Sequence, residues 1–165
     1  MTNAVLPDAG DIAGALKLGL RRLAKAVVVV TAHRGDTRAA MTATAVSELS
    51  LDPPSLLVCA NRSASMFPLL KDGAEFCVNI LDASHRAIAD RCAGGAAGDA
   101  RFAEGDWRQA ANGGWVLGDA QASFACAFEQ AHFYGTHGIF IGRVIDVRIA
   151  GEVGPLIYVD GAFRS

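Results

Sequence analysis

The stretch MTATAVSELSLDPPSLLVCANRSASMFPLL, residues Met41–Leu70, contains the pattern that decides the fold. It opens with small alanine and threonine side chains. The Asp-Pro-Pro sequence then stops this segment, because proline has no N–H for a ladder and restricts the residue before it. The apolar segment SLLVCAN follows and predicts a buried strand. A short helix, SMFPLLKD, comes next, with Ser63 or Ser65 as the expected N-cap and Pro68 in its first turn.

Outward from this stretch, β-branched segments alternate with turns. AVVVVTAH predicts a buried strand, and the turn RGDTR predicts an antiparallel hairpin with a second strand, AAMTATAVSEL. EFCVNIL and PLIYVDG predict two further strands, and QASFACAFEQAHFYG places Phe124, Cys126 and Phe128 on one strand face. The longest predicted strand, GIFIGRVIDVRIA, places four side chains on one face: Ile139, Ile141, Ile145 and Val147.

Helical spacing is confined to short segments. DIAGALKLGLRRLA predicts an amphipathic helix over about residues 10–24, with Asp8 or Asp11 near its start. SHRAIADRC predicts a second short helix, and the glycine- and alanine-rich AGGAAGDARFAEGDW predicts a mobile, functional loop. About seven strands without a βαβ alternation predict a mainly β fold, an antiparallel, Greek-key-like barrel with peripheral helices. A Rossmann fold is excluded, since no GxGxxG follows a strand.

Composition restricts the function classes. The 165 residues are 52% hydrophobic and 19% charged, which predicts one ordered domain over 1–165. The net charge of −2 argues against nucleic acid as the main partner. No apolar run approaches a membrane span, and the first residues lack the pattern of a signal peptide, so we expect a cytoplasmic protein. The four cysteines form no CxxC motif, and we interpret them as buried, reduced thiols.

Three features suggest a ligand site, and each has a purely structural alternative. The small side chains of Thr42–Ala45 would let a flat ligand approach the backbone, or they pack tightly against a helix. The CANRSAS loop would hold a phosphate, or its serines only cap a helix. His137 would contact a ligand, or it is a surface residue of a turn. No nucleophile motif is present, and His132 and His137 have no carboxylate or thiolate at metal-ligand spacing. If the protein is an enzyme, a cofactor would therefore carry the chemistry.

Together these segments resemble the flavin reductase-like family, the short reductase components of two-component flavin-dependent monooxygenases. The resemblance rests on AAMTATAVSELSLDPPSLLVCANRSASMFPLL, EFCVNIL, GDARF, YGTHGIFIGRVIDV and GPLIYVDGAF, in family order from about Ala26 to Phe163. It implies a split β-barrel of the FMN-binding type over about 26–163, in a homodimer that holds flavin near the subunit interface. It also implies reduction of FMN or FAD by NADH or NADPH, and delivery of reduced flavin to a separate oxygenase.

The family pattern implies roles for particular residues. Thr42, Ala43, Thr44 and Ala45 would line the flavin ring, and Cys59, Ala60 and Asn61 would follow its edge and ribityl chain. Ser63, Ser65 and Met66 would hold the phosphate, Arg101 and Phe102 would border the nicotinamide, and His137 would position it. Two positions depart from the family pattern: Thr136 replaces a common aspartate, and Met66 replaces a common hydroxyl residue.

Three alternatives remain open from the sequence. The first is an oxidase of the pyridoxamine-phosphate-oxidase type, although no second basic phosphate cluster is present. The second is a non-enzymatic flavin- or haem-binding barrel in which His137 is a ligand. The third is a dimeric structural domain without a cofactor.

Overall fold

The structure is a computed structural model that describes residues 10–164. Asp8 and most of the segment compared with a signal peptide lie outside the described residues. Between residues 10 and 164 no helix is both long and apolar enough to cross a membrane.

Three short α-helices are formed: α1 (Ile12–Leu20), α2 (Phe67–Lys71) and α3 (Arg86–Asp90). The predicted first helix is confirmed, although it ends earlier than residue 24. Asp11 is its N-cap, and its carboxylate accepts a hydrogen bond from the Gly14 N–H at 2.8 Å. The apolar positions of α1 remain exposed, so within the described residues its helical periodicity is not matched by a packing partner.

Nearly half of the described residues lie in β-strands, which are β1 (Lys25–Ala26), β2 (Val28–Arg34), β3 (Thr37–Ala43), β4 (Val46–Leu51), β5 (Pro54–Asn61), β6 (Glu75–Ile80), β7 (Trp107–Gln109), β8 (Trp115–Leu117), β9 (Ala122–Tyr134), β10 (His137–Ile149), β11 (Ile157–Val159) and β12 (Ala162–Arg164). Seven of them form one antiparallel sheet in the order β3-β2-β6-β9-β10-β5-β4. A small β1-β11-β12 sheet and a β7-β8 hairpin complete the β-structure. The expectation of a mainly β chain with few helices is confirmed.

The second predicted strand is wrong as a single element. AAMTATAVSEL breaks at Thr44 and Ala45 into β3 and β4, which are the two opposite edges of the seven-stranded sheet. The break has a tertiary cause, because β3 pairs with β2 whereas β4 pairs with β5. A chain link of two residues therefore joins both edges of the sheet.

The main core cluster lies between the strands of this sheet. Val58, Phe76 and Phe140 are fully buried in it. Phe124, Cys126 and Phe128 contact the same cluster, so their predicted common face is confirmed.

The single face predicted for β10 is wrong. Phe140 and Val144 contact the core, and Ile139 and Ile141 alternate with them on the other face. A register shift between Val144 and Asp146 then changes the alternation. A bulge of this kind inserts an unpaired residue, which an alternating pattern does not reveal.

The glycine- and alanine-rich segment is anchored, contrary to the mobile loop predicted. It forms a wide turn at Arg91–Gly95 and a 3₁₀ turn at Gly98–Phe102, and it leads into the unpredicted β7-β8 hairpin. Phe102 is buried against Trp107 and Trp115, with ring centroids 5.2 and 6.2 Å apart. These aromatic contacts hold the segment against the fold.

Candidate flavin site

A cleft of about 460 Å³ opens where the link between β3 and β4 meets the end of β5. The N–H of Cys59 donates to the carbonyl of Ala45 at 2.9 Å and holds the link beside β5. Within residues 10–164 no acceptor is found for the N–H groups of Thr44 and Ala45. The wall of the cleft therefore consists of small side chains and backbone amides that are available to a ligand.

Most of the residues predicted for a cofactor site line this one cleft: Thr42, Ala43, Thr44, Ala45, Cys59, Ala60, Asn61, Ser63, Ser65 and Arg101. The cleft volume lies within the range of about 300–1,000 Å³ that is common for small-molecule sites. The space and the lining both fit the flat ring and polar tail of a flavin.

Met66 and Phe102 do not line the cleft, although both were predicted to lie in the site. Met66 is fully buried and packs in the main core cluster, since it points inward where the chain enters α2. Phe102 is 8% exposed and packs beneath the tryptophans of the β7-β8 hairpin. Both side chains therefore belong to the packed interior rather than to the lining of the cleft.

The turn after β5 is organised by Asn61. Its Oδ1 atom accepts hydrogen bonds from the backbone N–H and the hydroxyl of Ser63, both at 2.9 Å. Met66, without a side-chain hydrogen bond, is the N-cap of α2, so the expected serine cap is wrong. Pro68 does lie in the first turn of α2, as predicted.

Arg101 enters the cleft from the 3₁₀ turn. Its Nη1 atom donates to the carbonyl of Ala40 and, at 3.0 Å, to the hydroxyl of Ser65, and its Nε atom donates to the carbonyl of Ala96 at 2.9 Å. Within residues 10–164 its Nη2 atom has no partner. Arg101 is also the only charged side chain among the described residues that line the cleft. The Ser65 end therefore carries a positive charge with free donors.

His137 lies beside the cleft but does not line it. It is the exposed first residue of β10, directly after the Gly135–Thr136 turn, and it pairs with Asn61 of β5. The hydroxyl of Thr136 is 2.9 Å from Nδ1 of the imidazole. This contact orients the ring next to the polar end of β5.

Sequence reasoning missed the part of the cleft that comes from the turn after α3. Cys92 and Ala93 of this turn line the cleft. Two other lining residues, Met41 of β3 and Ala64 after β5, were also not predicted. The Thr42 hydroxyl donates to the carbonyl of Ala89 at 2.6 Å and holds α3 against β3. Since this contact joins positions 47 residues apart, no local motif marks Cys92 or Ala93 as site residues.

The buried thiols are poor candidates for covalent chemistry. Burial raises the pKa of Cys77 to about 11 and that of Cys126 to about 12, and burial also raises the pKa of Cys92. These thiols stay protonated at neutral pH and are weak nucleophiles. Cys59, by contrast, is partly exposed at the cleft. In the described part of the chain, no group of three or more His, Cys, Asp or Glu side chains could hold a metal ion.

Residues 20–165 match the model of the flavin reductase like domain. The chain is 41% identical over 146 residues to an FMN reductase (NADH) RutF of Variovorax paradoxus strain S110, covering 88% of this chain and 81% of that protein. It is 38% identical over 146 residues to the reductase component of an FADH(2)-dependent resorcinol hydroxylase of Rhizobium sp. strain MTP-10005, covering 87% and 82%. Both relatives are reductases, which does not favour the oxidase or non-enzymatic alternatives.

The fold agrees with this match. The NADH:FAD oxidoreductase SgcE6 of Streptomyces globisporus C-1027, solved in complex with NAD and FAD fragments, superposes with a TM-score of 0.88. The two chains are 28% identical, and the match covers 98% of this chain and 96% of that one. With a family match over nearly its whole length and a cleft built by the residues of the family pattern, the chain belongs to the flavin reductase-like family.

Proposed function

We propose that the chain is an NAD(P)H-dependent flavin reductase that supplies reduced FMN or FAD to a separate flavin-dependent oxygenase. The observation that carries the proposal is the cleft of small residues with a single arginine at its Ser65 end. The names of the two curated relatives support NADH as the reductant and an oxygenase as the partner. The use of a nicotinamide reductant fits a cytoplasmic location.

Thr44 and Ala45 form the ring wall of the proposed site. A bound flavin would supply N5 as the acceptor of a hydride from a nicotinamide, and its N1–C2=O edge would need stabilisation of negative charge. The N–H groups of Thr44 and Ala45, which have no backbone acceptor among residues 10–164, would donate to this edge. Their small side chains allow the backbone to approach the ring closely. The chain therefore needs no general acid or base in this wall.

Arg101 and Ser65 form the proposed phosphate end. The Ser65 hydroxyl accepts a hydrogen bond from Arg101, so its own hydrogen remains available to a phosphate oxygen. The Nη2 donors of Arg101, which have no partner in the described part of the chain, would add charge-assisted bonds. We assign Arg101 to the phosphate rather than to the nicotinamide, because Arg101 lines the cleft beside Ser65, whereas His137 lies outside the cleft.

Replacing both Ser63 and Ser65 with alanine should weaken FMN more than riboflavin. The loss concerns hydroxyls at the phosphate end, and charge-assisted hydrogen bonds of this kind contribute roughly 1–3 kcal/mol. Fluorescence quenching titrations with both ligands measure the difference. Ser84→Ala, at an exposed serine outside the cleft, is the control. Equal weakening of FMN and riboflavin would show that the serines only shape the turn.

The proposal includes a split β-barrel of the FMN-binding type in a single domain over residues 1–165. Because Thr44 and Ala45 link the two edge strands directly, the seven-stranded sheet has to curl until β3 and β4 approach each other. The three-stranded sheet and the β7-β8 hairpin are too small for a core of their own. These features support one curled sheet as the scaffold of the site.

A homodimer is also part of the proposal. A second, largely apolar cleft of about 840 Å³ shares Thr44, Ala45 and Cys59 with the flavin cleft. Leu51 and Val147 line it, although they are 90% and 47% exposed in the single chain. A second copy would cover this apolar face, since patches of this kind mark interaction sites. The flavin cleft would then lie at the subunit boundary.

The double substitution Leu51→Asp and Val147→Asp should convert the dimer to a monomer, because two charges per chain would be buried in an apolar interface. Light scattering after gel filtration should change from about twice the 17.2 kDa chain mass to one chain mass. Val153→Asp, at a position 95% exposed and outside this cleft, should leave the mass unchanged. A wild-type monomer would refute the dimer.

The deciding experiment for the function is the oxidation of NADH with and without added flavin. The absorbance of NADH should fall only when FMN or FAD is present, with the rate saturating in flavin concentration. NADPH in place of NADH tests the choice of reductant. If purified protein that binds flavin does not oxidise either nucleotide, the chain is a flavin-binding module and the reductase proposal fails.

A further inference from the structure

Arg38, on β3, lies outside the flavin cleft and makes contacts with three other side chains. Its guanidinium carbon is 4.3 Å from the ring centroid of Phe102 and 4.5 Å from that of Trp115. Its Nε atom donates to a carboxylate oxygen of Asp99 at 2.7 Å. A planar guanidinium can stack on aromatic faces while its edge binds a carboxylate, which a lysine cannot reproduce.

Two of the residues that Arg38 contacts flank Arg101 in the sequence. Asp99 and Phe102 belong to the same 3₁₀ turn as Arg101, one on each side of it. Arg38 therefore holds the turn both before and after the residue that enters the cleft. The carbonyl of Ala40, two residues further along β3, accepts a hydrogen bond from Arg101 itself. Strand β3 therefore contacts this segment in two ways. Arg38 binds the turn through Asp99 and Phe102, and the carbonyl of Ala40 binds the guanidinium of Arg101.

Arg38 has an alternative role that is only structural. Its contacts with Phe102 and Trp115 also stabilise the packing of the β7-β8 hairpin, whatever the cleft binds. Loss of packing alone would lower the melting temperature and weaken every ligand of the cleft to the same extent. Loss of the position of Arg101 would instead weaken only the ligands that carry a phosphate. The two roles are therefore separable by comparing two flavins.

We infer that Arg38 is a positioning residue, which holds the Gly98–Phe102 turn so that Arg101 presents its free donors to the flavin phosphate. The inference rests on the phosphate end assigned in the proposed function. It adds a residue that does not touch the ligand and that controls the discrimination between FMN and riboflavin. The aromatic and ionic contacts of Arg38 supply the rigidity that a glycine- and alanine-rich segment lacks.

The test compares Arg38→Ala, Arg101→Ala and the double variant, with dissociation constants for FMN and riboflavin from flavin fluorescence quenching. Arg38→Ala should weaken FMN about tenfold and riboflavin less than about twofold, a difference equivalent to one lost charge-assisted contact. Because Arg38 acts through Arg101, the double variant should bind FMN no more weakly than Arg101→Ala alone. Equal weakening of both flavins, or additive losses in the double variant, would overturn the inference.

Asp99→Asn keeps the test decisive if Arg38→Ala does not fold. The Asp99 side chain is 78% exposed, so this change breaks the ion pair and leaves the rings in place. It should weaken FMN about two- to fivefold, the range of an exposed ion pair, and leave riboflavin unchanged. Arg143→Ala is the matched control, since it removes an arginine from a 2.9 Å pair with Glu129 on the β9-β10 hairpin. It should change neither constant.

The two tryptophans of the chain provide a readout of the turn itself. Trp107 and Trp115 both pack on Phe102, so tryptophan emission of the flavin-free protein reports on this cluster. Arg38→Ala should shift the emission, whereas Arg143→Ala should not. If the wild type does not prefer FMN to riboflavin, the phosphate end of the proposed function fails. If it prefers FMN and only Arg101→Ala removes this preference, the role of Arg38 alone is refuted.

Discussion

Ala45→Trp is expected to abolish flavin binding in a chain that still folds, with the dissociation constant rising by about a hundredfold or more, or roughly 2.8 kcal/mol. Ala45 is exposed, lies in the link between the two edge strands and lines the cleft. An indole at this position would occupy the space assigned to the flavin ring. Ala43 is a less suitable position, because it also contacts the core cluster. Quenching of flavin fluorescence on titration with protein measures the loss.

Thr37→Trp is the matched control for this prediction. It adds the same bulk at the other end of β3, at an exposed residue that does not line the cleft. Its flavin affinity and circular dichroism should equal those of the wild type. If Ala45→Trp also binds flavin as tightly as the wild type, the ring lies elsewhere and the assignment of Thr42–Ala45 to the ring wall is wrong.

The parts of the fold that sequence reasoning predicted are those set by local chemistry. The β-branched run of β2 and the apolar run of β5 are predictable because each is long, apolar and bounded by turn residues. Asp-Pro-Pro marks the boundary between β4 and β5 for the same local reason. The small residues and the Asn-Arg-Ser turn predict a ligand site because their composition is unusual for a packed strand and the start of a helix.

The break at Thr44 and Ala45 could not be predicted in this way. No proline or glycine marks it, and the alternation of small side chains continues through it. Its cause is non-local: the N–H of Cys59 holds the carbonyl of Ala45, and the opposite edges of the sheet take different partners. The residues that form the cleft wall are therefore also the residues whose conformation depends most on the rest of the fold.

The conformation of the segment that carries Arg101 also depends on long-range contacts that local sequence patterns do not predict. Glycine and alanine favour mobility, and no local pattern shows that Arg38 and Arg101 fasten the segment to β3. Both contacts with β3 span 61 residues. The expected serine cap of α2 is absent for a related reason, because the Ser63 hydroxyl donates to Oδ1 of Asn61 and the Ser65 hydroxyl accepts from Arg101. Local motifs do not predict hydrogen bonds with residues that are distant in the sequence.

His137→Ala is expected to lower kcat/KM for NADH by about a hundredfold while changing the flavin dissociation constant less than about twofold, since misplacement of a reactant by about 1 Å can cost this much in rate. Hydride transfer needs no general acid or base, so the imidazole is assigned to positioning the nicotinamide. Its exposed location beside Asn61, with Nδ1 held by the Thr136 hydroxyl, suits a contact above the open face of a bound flavin. Steady-state kinetics at saturating flavin, and flavin titration of the same sample, measure the two quantities.

Two further variants make the assignment of His137 decisive. His132→Ala removes the other exposed histidine of the β9-β10 hairpin, whose ring nitrogen Nε2 is 3.2 Å from Oε1 of Gln130, and should leave the kinetics unchanged. Thr136→Val removes the 2.9 Å contact that orients the imidazole and should cause a smaller loss of the same kind, about three- to tenfold, in line with one neutral hydrogen bond. Unchanged kinetics in His137→Ala would make it an ordinary surface residue of the hairpin. Loss of flavin binding in that variant would instead place the imidazole against the flavin, and the nicotinamide would then have to approach from another side of the cleft.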